Sequence, residues 1–308
     1  MIRIKTISEF HRFRQLPPPE HPLISVTEIE LVRRTVEPQS ASWCYDFYAI
    51  GLKRVSFSEA INFRYGQQPY DFNEGILSFV APNQLLSLSV DTKQETTQSG
   101  WLLLIHPDFL WNTALAKSIR KYDFWDYSVN ESLFLSAKEE ATLIQVFQNI
   151  RQEYHTNLDR FSKQLIISQI ETLLTYADRF YHRQFITREK SSHQLLEKLE
   201  TLLEDYFSSD QLITKGLPTV QYVAEMLHVS PNYLRGLLKV LTGQNTQQLI
   251  HDKLIEKAKV KLSLTELSIS EIAYELGFEH PQSFTKLFKS KTKLSPLAYR
   301  QALTGRSN

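Results

Sequence analysis

What most limits the folds open to this chain is an internal repeat near its C-terminus: VAEMLHVSPNYLRGLLK from Val223 and IAYELGFEHPQSFTKLFK from Ile272. An aliphatic residue followed by alanine, an apolar residue, a proline and a closing apolar-apolar-Lys recur in the same order, with one extra residue in the second turn. In each copy the apolar positions describe a short helix, a break and a second helix. The first copy uses Val223, Ala224 and Leu227, then Leu234, Leu237 and Leu238; the second uses Ile272, Ala273 and Leu276, then Phe284, Leu287 and Phe288. This is a helix-turn-helix written twice. Ser230 before Pro231 reads as an N-cap with proline at the first helical position, where no N–H is needed. Gly277 stands where the leading helix of copy two must stop, a place that favours a positive φ. Thr219 and Ser270 are the expected caps of the two leading helices, and His280 is a poor cap where the first copy has Ser230.

Between the copies, Ile250, Leu254, Ala258 and Leu262 recur at steps of four, which predicts one continuous amphipathic helix. About 18 helical residues span roughly 27 Å. A rigid spacer of that size suits two recognition helices about 34 Å apart, one turn of B-DNA, so that both enter successive major grooves.

Taken together, residues 216–300 resemble the DNA-binding domain of the AraC/XylS transcription regulators, on VAEMLHVSPNYLRGLLKVLTG, DKLIEKAKVKL and ISEIAYELGFEHPQSFTKLFKSKTKLSPLAYR. The resemblance implies a unit with two helix-turn-helix motifs, commonly joined to a ligand-sensing or dimerising domain. It gives a DNA-binding domain over 200–304, with the first motif at about 219–241, the linking helix at about 246–263 and the second motif at about 270–291. The partners implied are double-stranded DNA, a small-molecule effector and a second copy of the chain, with RNA polymerase a further partner open to a regulator. No cofactor is implied.

Charge follows the same division. From Gly216 onward there are 12 lysines and arginines against 7 aspartates and glutamates, a net +5, which leaves −4 for the residues before it. Lys253, Lys257, Lys259 and Lys261 decorate the linking helix, and Lys286, Lys289, Lys291 and Lys293 follow the second break. Such groups either replace counterions on phosphate or form a solvated face. A second helix of this motif offers the side chains of its N-terminal half to base edges. With the apolar positions removed, copy one leaves Asn232, Tyr233, Arg235 and Lys239, and copy two leaves Gln282, Ser283, Thr285, Lys286 and Lys289. Asn and Arg suit adenine and guanine edges respectively. Lys286 stands where arginine is common in the family, and Gly236 where a long reading side chain often stands. Tyr233 suits packing over the turn as well as it suits DNA.

The fold class expected for the whole chain is α+β multidomain. Residues 1–135 read as an N-terminal arm and a cupin-like β-sandwich or barrel, from strand-like runs at ISVTEIELV, SWCYDFYAIGLKRV, AINFRYG, ILSFVAPNQLLSLSV and GWLLLIHP. Residues 136–187 read as a helical hairpin with stripes at Leu143, Ile144, Phe147 and Ile150 and at Leu165, Ile166, Ile170, Leu173 and Leu174. We expect these stripes to serve dimerisation, the alternative being burial on the β-section. Polar REKSSHQ opens a linker over 188–199. LPPPEHP favours polyproline II, so the first twenty residues form either a packed arm or a disordered leader. Trp43, Tyr45, Phe47, Phe63, Tyr65 and Phe79 line a pocket or fill the core.

Several function classes drop out. Cys44 is the sole cysteine, which removes a disulfide framework and a thiolate zinc cluster and favours a reducing, cytoplasmic setting. The N-terminus lacks the apolar run of a signal peptide, and Trp101–Ile105 is too short to span a bilayer. His11, His21 and His106 are isolated, without the His-x-His pair and Glu of a metal-dependent cupin, so neither a metal site nor catalysis is expected. The rival readings are an architectural DNA-binding protein and a cupin-type enzyme with an accessory helical domain.

Overall fold

The computed structural model describes residues 2–32, 42–57, 64–65, 68–69, 75–87, 96–127, 131–156, 161–187, 189–209 and 211–304. The chain divides into two compact units, Met1–Thr187 and Arg188–Asn308.

The first unit contains β1 (Ile2–Ile4), β2 (Ile24–Glu28), β3 (Ser42–Tyr45), β4 (Tyr48–Phe57), β5 (Arg64–Tyr65) and β6 (Gln68–Pro69). It continues with β7 (Gly75–Val80), β8 (Leu86–Ser87), β9 (Thr96–Ile105) and β10 (Leu133–Leu135). Its helices are α1 (Ile7–Phe13), α2 (Ala114–Ser118), α3 (Ala137–Tyr154) and α4 (Ser162–Thr187). A five-stranded antiparallel sheet has the order β10-β7-β4-β9-β2, and a smaller sheet has the order β1-β3-β8. The long β4–β9 pair runs from Tyr48 opposite Ile105 to Phe57 opposite Thr96. Alternation then sorts its side chains. Leu52 and Trp101 share one face, where Trp101 stacks on Phe147 of α3 at 6.4 Å. Ala49 and Leu104 share the other, in a core with Ile4, Ile7, Phe10, Trp43 and Phe47.

The arm is therefore part of this unit. Thr6 and Glu9 form a capping box on α1, which turns Ile7 and Phe10 into the core. His11 Nε2 lies 2.8 Å from Ser25 Oγ, and the Glu20 N–H donates to the Tyr154 hydroxyl at 2.7 Å. Of the aromatic pocket candidates, Trp43, Tyr45, Phe47 and Phe79 are buried core residues, with Tyr45 stacked on Phe47 at 5.1 Å. Phe63 and most of AINFRYG lie outside the described residues, and Tyr65 is in β5.

The hairpin forms where the periodicity puts it, but its stripes have another use. Leu143, Phe147 and Ile150 on α3 and Ile166, Ile170, Leu173 and Leu174 on α4 have no exposed surface within one chain. They bury themselves in the first unit, so they are not a surface for a second copy. Ile144 is half-buried and Leu165, at 49% exposed, is the outlying member of the stripes. The end of α4 is held to α3 and β10: Arg183 pairs with Glu139 of α3 at 2.6 Å and donates to the Phe134 carbonyl of β10, and the Phe134 N–H donates to Gln184 Oε1 at 2.8 Å.

The second unit is helical among its described residues: α5 (Glu189–Ser208), α6 (Gln211–Lys215), α7 (Val220–Met226), α8 (Pro231–Thr242), α9 (Thr246–Leu264), α10 (Ile269–Glu275), α11 (Pro281–Thr292) and α12 (Pro296–Thr304). α5 starts inside the stretch whose polarity suggests a linker. Leu199, Leu203, Tyr206 and Phe207 bury one of its faces. α9 is the predicted linking helix, with Ile250, Leu254, Ala258 and Leu262 all buried. Among the described residues no helix is long and apolar enough to cross a membrane.

Candidate nucleic-acid interface

The two turns of the repeat close by one hydrogen-bond pattern. In the first, the Val229 N–H reaches the Ala224 carbonyl at 3.0 Å and the His228 N–H reaches Glu225 at 3.0 Å. In the second, the Phe278 N–H reaches Ala273 at 3.0 Å and the Gly277 N–H reaches Tyr274 at 2.9 Å. Each is a Schellman motif, which needs a left-handed residue just past the helix. Gly277 supplies it at φ +79°, as its position predicts, whereas the first copy uses His228 at φ +56°.

The recognition helices α8 and α11 are 12 residues each and start differently. Ser230 Oγ accepts the Tyr233 N–H at 3.2 Å, whereas His280 makes no side-chain cap. Both end in a left-handed residue, Gly243 at φ +72° and Lys293 at φ +66°. Of the leading helices, α7 is capped by Thr219 as expected. α10 is capped by Ser268 and not by Ser270, because Ser268 and Glu271 complete a capping box. Those bonds also hold the Glu271 carboxyl below its ordinary pKa, through the Ser268 N–H first and its hydroxyl second.

On α8, Arg235 and Lys239 are exposed and Asn232 is half-buried. Tyr233 is only 7% exposed, so its ring packs into the core of the unit and does not join the base-reading face. On α11, Gln282, Ser283, Lys286 and Lys289 are exposed. Thr285 is half-buried and its hydroxyl donates back to the Pro281 carbonyl at 3.0 Å, which occupies its proton. Leu234, Leu237 and Leu238 on α8 and Phe284 and Phe288 on α11 form the inward faces. The outward faces thus combine amide, hydroxyl and cationic groups, the types that read base edges and neutralise phosphate.

Several lysines expected to face phosphate are instead engaged within the protein. Lys253 pairs with Glu204 of α5 at 3.8 Å, Lys261 with Glu275 of α10, and Lys291 with Asp252 of α9 at 2.6 Å. Burial, with Lys261 nearby, lowers the Lys257 pKa. Lys293 closes α11 and donates to the Ser290 carbonyl at 3.3 Å. The linking helix therefore spends much of its charge on holding its neighbours.

Three supports lay outside the sequence reading. α12 starts at a cap from Ser295, whose Oγ accepts the Ala298 N–H at 3.1 Å. The end of α6 meets the second turn, where Leu212 and Gly216 lie against Gly277. Arg300 donates to the Leu262 carbonyl at 3.2 Å and ties α12 to the end of α9. The spacing from Gly243 to Asn245 and from Lys293 to Ser295 is a signal that shows the repeat continuing into the caps of α9 and α12.

A profile described as "Helix-turn-helix domain" matches residues 223–302. The C-terminal domain of the two-component response regulator yesN from Fusobacterium nucleatum is 32% identical, over 34% of this chain and 95% of that one, with a TM-score of 0.30. Residues 223–302 are an AraC-type helix-turn-helix domain. Beyond this AraC-type domain, the HTH-type transcriptional regulator YfiF of Bacillus subtilis is 31% identical over 161 residues, 52% of this chain and 48% of that protein. The DNA-binding domain of AdpA, described as a global transcriptional factor and solved in complex with a target DNA, is 24% identical over 37% of this chain and 95% of that one, with a TM-score of 0.32. The chain spans less than half the length of YfiF and of the B. subtilis regulators YobQ and YesN, at 48%, 48% and 27%.

Proposed function

We propose that this chain is a sequence-specific transcription regulator that places α8 and α11 in successive major grooves of one double-stranded site. The observation that carries the reading is two 12-residue recognition helices with polar and cationic outward faces, both packed on one 19-residue helix. At 1.5 Å per residue, α9 spans roughly 28 Å, close to one turn of B-DNA. Selection of duplexes from a random pool by the full chain tests it. A pair of conserved half-contacts about one helical turn apart is expected, and enrichment of no sequence would leave an architectural role.

Arg235→Ala should then cost about 1–3 kcal/mol on the selected site and relax preference at one base pair. Equal losses on selected and random DNA would reassign Arg235 to phosphate. Lys289→Ala should weaken all sequences alike and flatten the slope of log K against log salt by about one unit. An unchanged slope removes it from the phosphate contacts.

Effector response is a further part of the proposal. It is supported by an open cleft of about 380 Å³ in the first unit, lined by Glu28, Glu30, Arg54, Trp101 and Glu140 among others. A homodimer would have to use surface other than the buried hairpin stripes. Trp111, Phe161 and Leu165 are each about half or more exposed, and Lys163 Nζ donates to the Trp111 carbonyl at 3.1 Å. Sedimentation of the full chain as a monomer at high concentration would remove the dimer.

A further inference from the structure

Asp252 sits in the first half of α9 and holds one hydrogen bond and one ion pair with residues far apart in the sequence. Gln244, in the loop that leaves the first recognition helix, donates its amide at 2.8 Å, and the ammonium of Lys291, in the last turn of the second, forms an ion pair at 2.6 Å. The two donors use different carboxylate oxygens, Oδ2 and Oδ1. The aspartate and lysine side chains are about two-thirds covered, at 34% and 30% exposed. An ion pair so covered is screened less than one between surface groups in full solvent. The repeat does not call for this link: Leu241 occupies the first copy's equivalent of Lys291, and Leu294 the second copy's equivalent of Gln244. One carboxylate thus joins the exit of α8, the shaft of α9 and the exit of α11. The second motif is also fastened to the far half of α9 by Lys261 and Glu275, so it is held to the shaft at two points.

We propose that Asp252 is a positioning residue that fixes the orientation of the two recognition helices relative to each other, and through it the spacing of the two half-contacts that the protein accepts. It touches no base. Its effect comes from restricting how α11 can shift along α9 while α8 stays seated. The inference rests on the reading that both helices engage one site together.

The test uses the full chain and a duplex that the wild-type protein selects from a random pool, together with versions carrying one or two base pairs inserted between the half-contacts. The wild type should lose on the order of 100-fold in affinity on insertion, because one reader falls out of register. Asp252→Ala should lose about tenfold on the native spacing, and its penalty for insertion should shrink to a few-fold. Asp252→Glu should restore much of the spacing preference. Gln244→Ala and Lys291→Met remove one strand of the link each and should give intermediate spacing profiles, which decides the matter if Asp252→Ala fails to fold. A loss that is the same at every spacing would mark a purely structural role and overturn the proposal, as would an unchanged penalty in all these variants. A wild type indifferent to spacing would instead sink the two-groove reading itself.

Discussion

Gly277→Ala should destabilise the C-terminal unit by about 2–4 kcal/mol, whereas the matching change in the first copy, His228→Gly, should stabilise it by about 0.5–1 kcal/mol. The two residues do the same work, closing a Schellman turn with positive φ, yet their surroundings differ. A methyl group on Gly277 would lie 2.5 Å from the Leu212 carbonyl oxygen and 3.1 Å from the Gly216 Cα. Both are backbone atoms that no rotamer change can move aside, and Gly216 is itself held at φ +73°. The alanine therefore meets strain in its own backbone and a collision with the end of α6. His228 already bears the backbone strain. Glycine there relieves about 1–2 kcal/mol and gives back part of it as extra freedom in the unfolded chain. Thermal melting of the C-terminal unit in each variant checks the pair. A Gly277→Ala protein that melts with the wild type would show that α6 does not press on the turn, and a destabilised His228→Gly would show that its side chain does more than close one.

Much of this domain was legible because a repeat constrains itself. The apolar spacing and paired prolines located α7, α8, α10 and α11, the step of four located α9, and the gap at Gly277 foretold its positive φ. The missing cap at His280 was also readable, from a side chain ill suited to accept backbone N–H groups. Ser268 was readable in principle through Glu271 three residues on, but Ser270 lay nearer the first apolar residue. Other features depend on information that a linear pattern lacks. A hydrophobic stripe says that a helix face is covered, not by what, so the hairpin stripes at Leu143 and Ile170 suggested a second chain although they are buried within the first unit. α5 opens with residues of no apolar period and acquires one only near Leu199. Lys253, Lys261 and Lys291 read as cations for phosphate because their partners Glu204, Glu275 and Asp252 come from other helices. Tyr233 borders the core stripe of α8, and only packing decides which way an amphipathic ring turns.

Phe288→Ala should cost the C-terminal unit about 3–5 kcal/mol, the range for emptying a buried aromatic site. Phe288 has no exposed surface, and its ring centroid lies 5.7 Å from Phe284 and 5.4 Å from Tyr299, the latter edge to face. Truncation thus removes the contact between α11 and α12 as well as the seat of α11, and the ring pairs add to the loss beyond area alone. For a unit whose whole stability is of order 5–15 kcal/mol, this is about a fifth or more. Leu238 is the equivalent residue of α8, also fully buried, and Leu238→Ala should cost about 2–5 kcal/mol. Phe288→Leu keeps most of the volume and should recover the larger part of the loss. These side chains orient recognition helices without facing DNA, so temperature separates their role from that of Arg235. Well below the melting transition, the folded Phe288→Ala protein should retain the wild-type ratio of selected to random affinity, and Arg235→Ala should not. A Phe288→Ala protein that melts normally but loses that ratio would mean that the core of the second reader shapes its specificity directly.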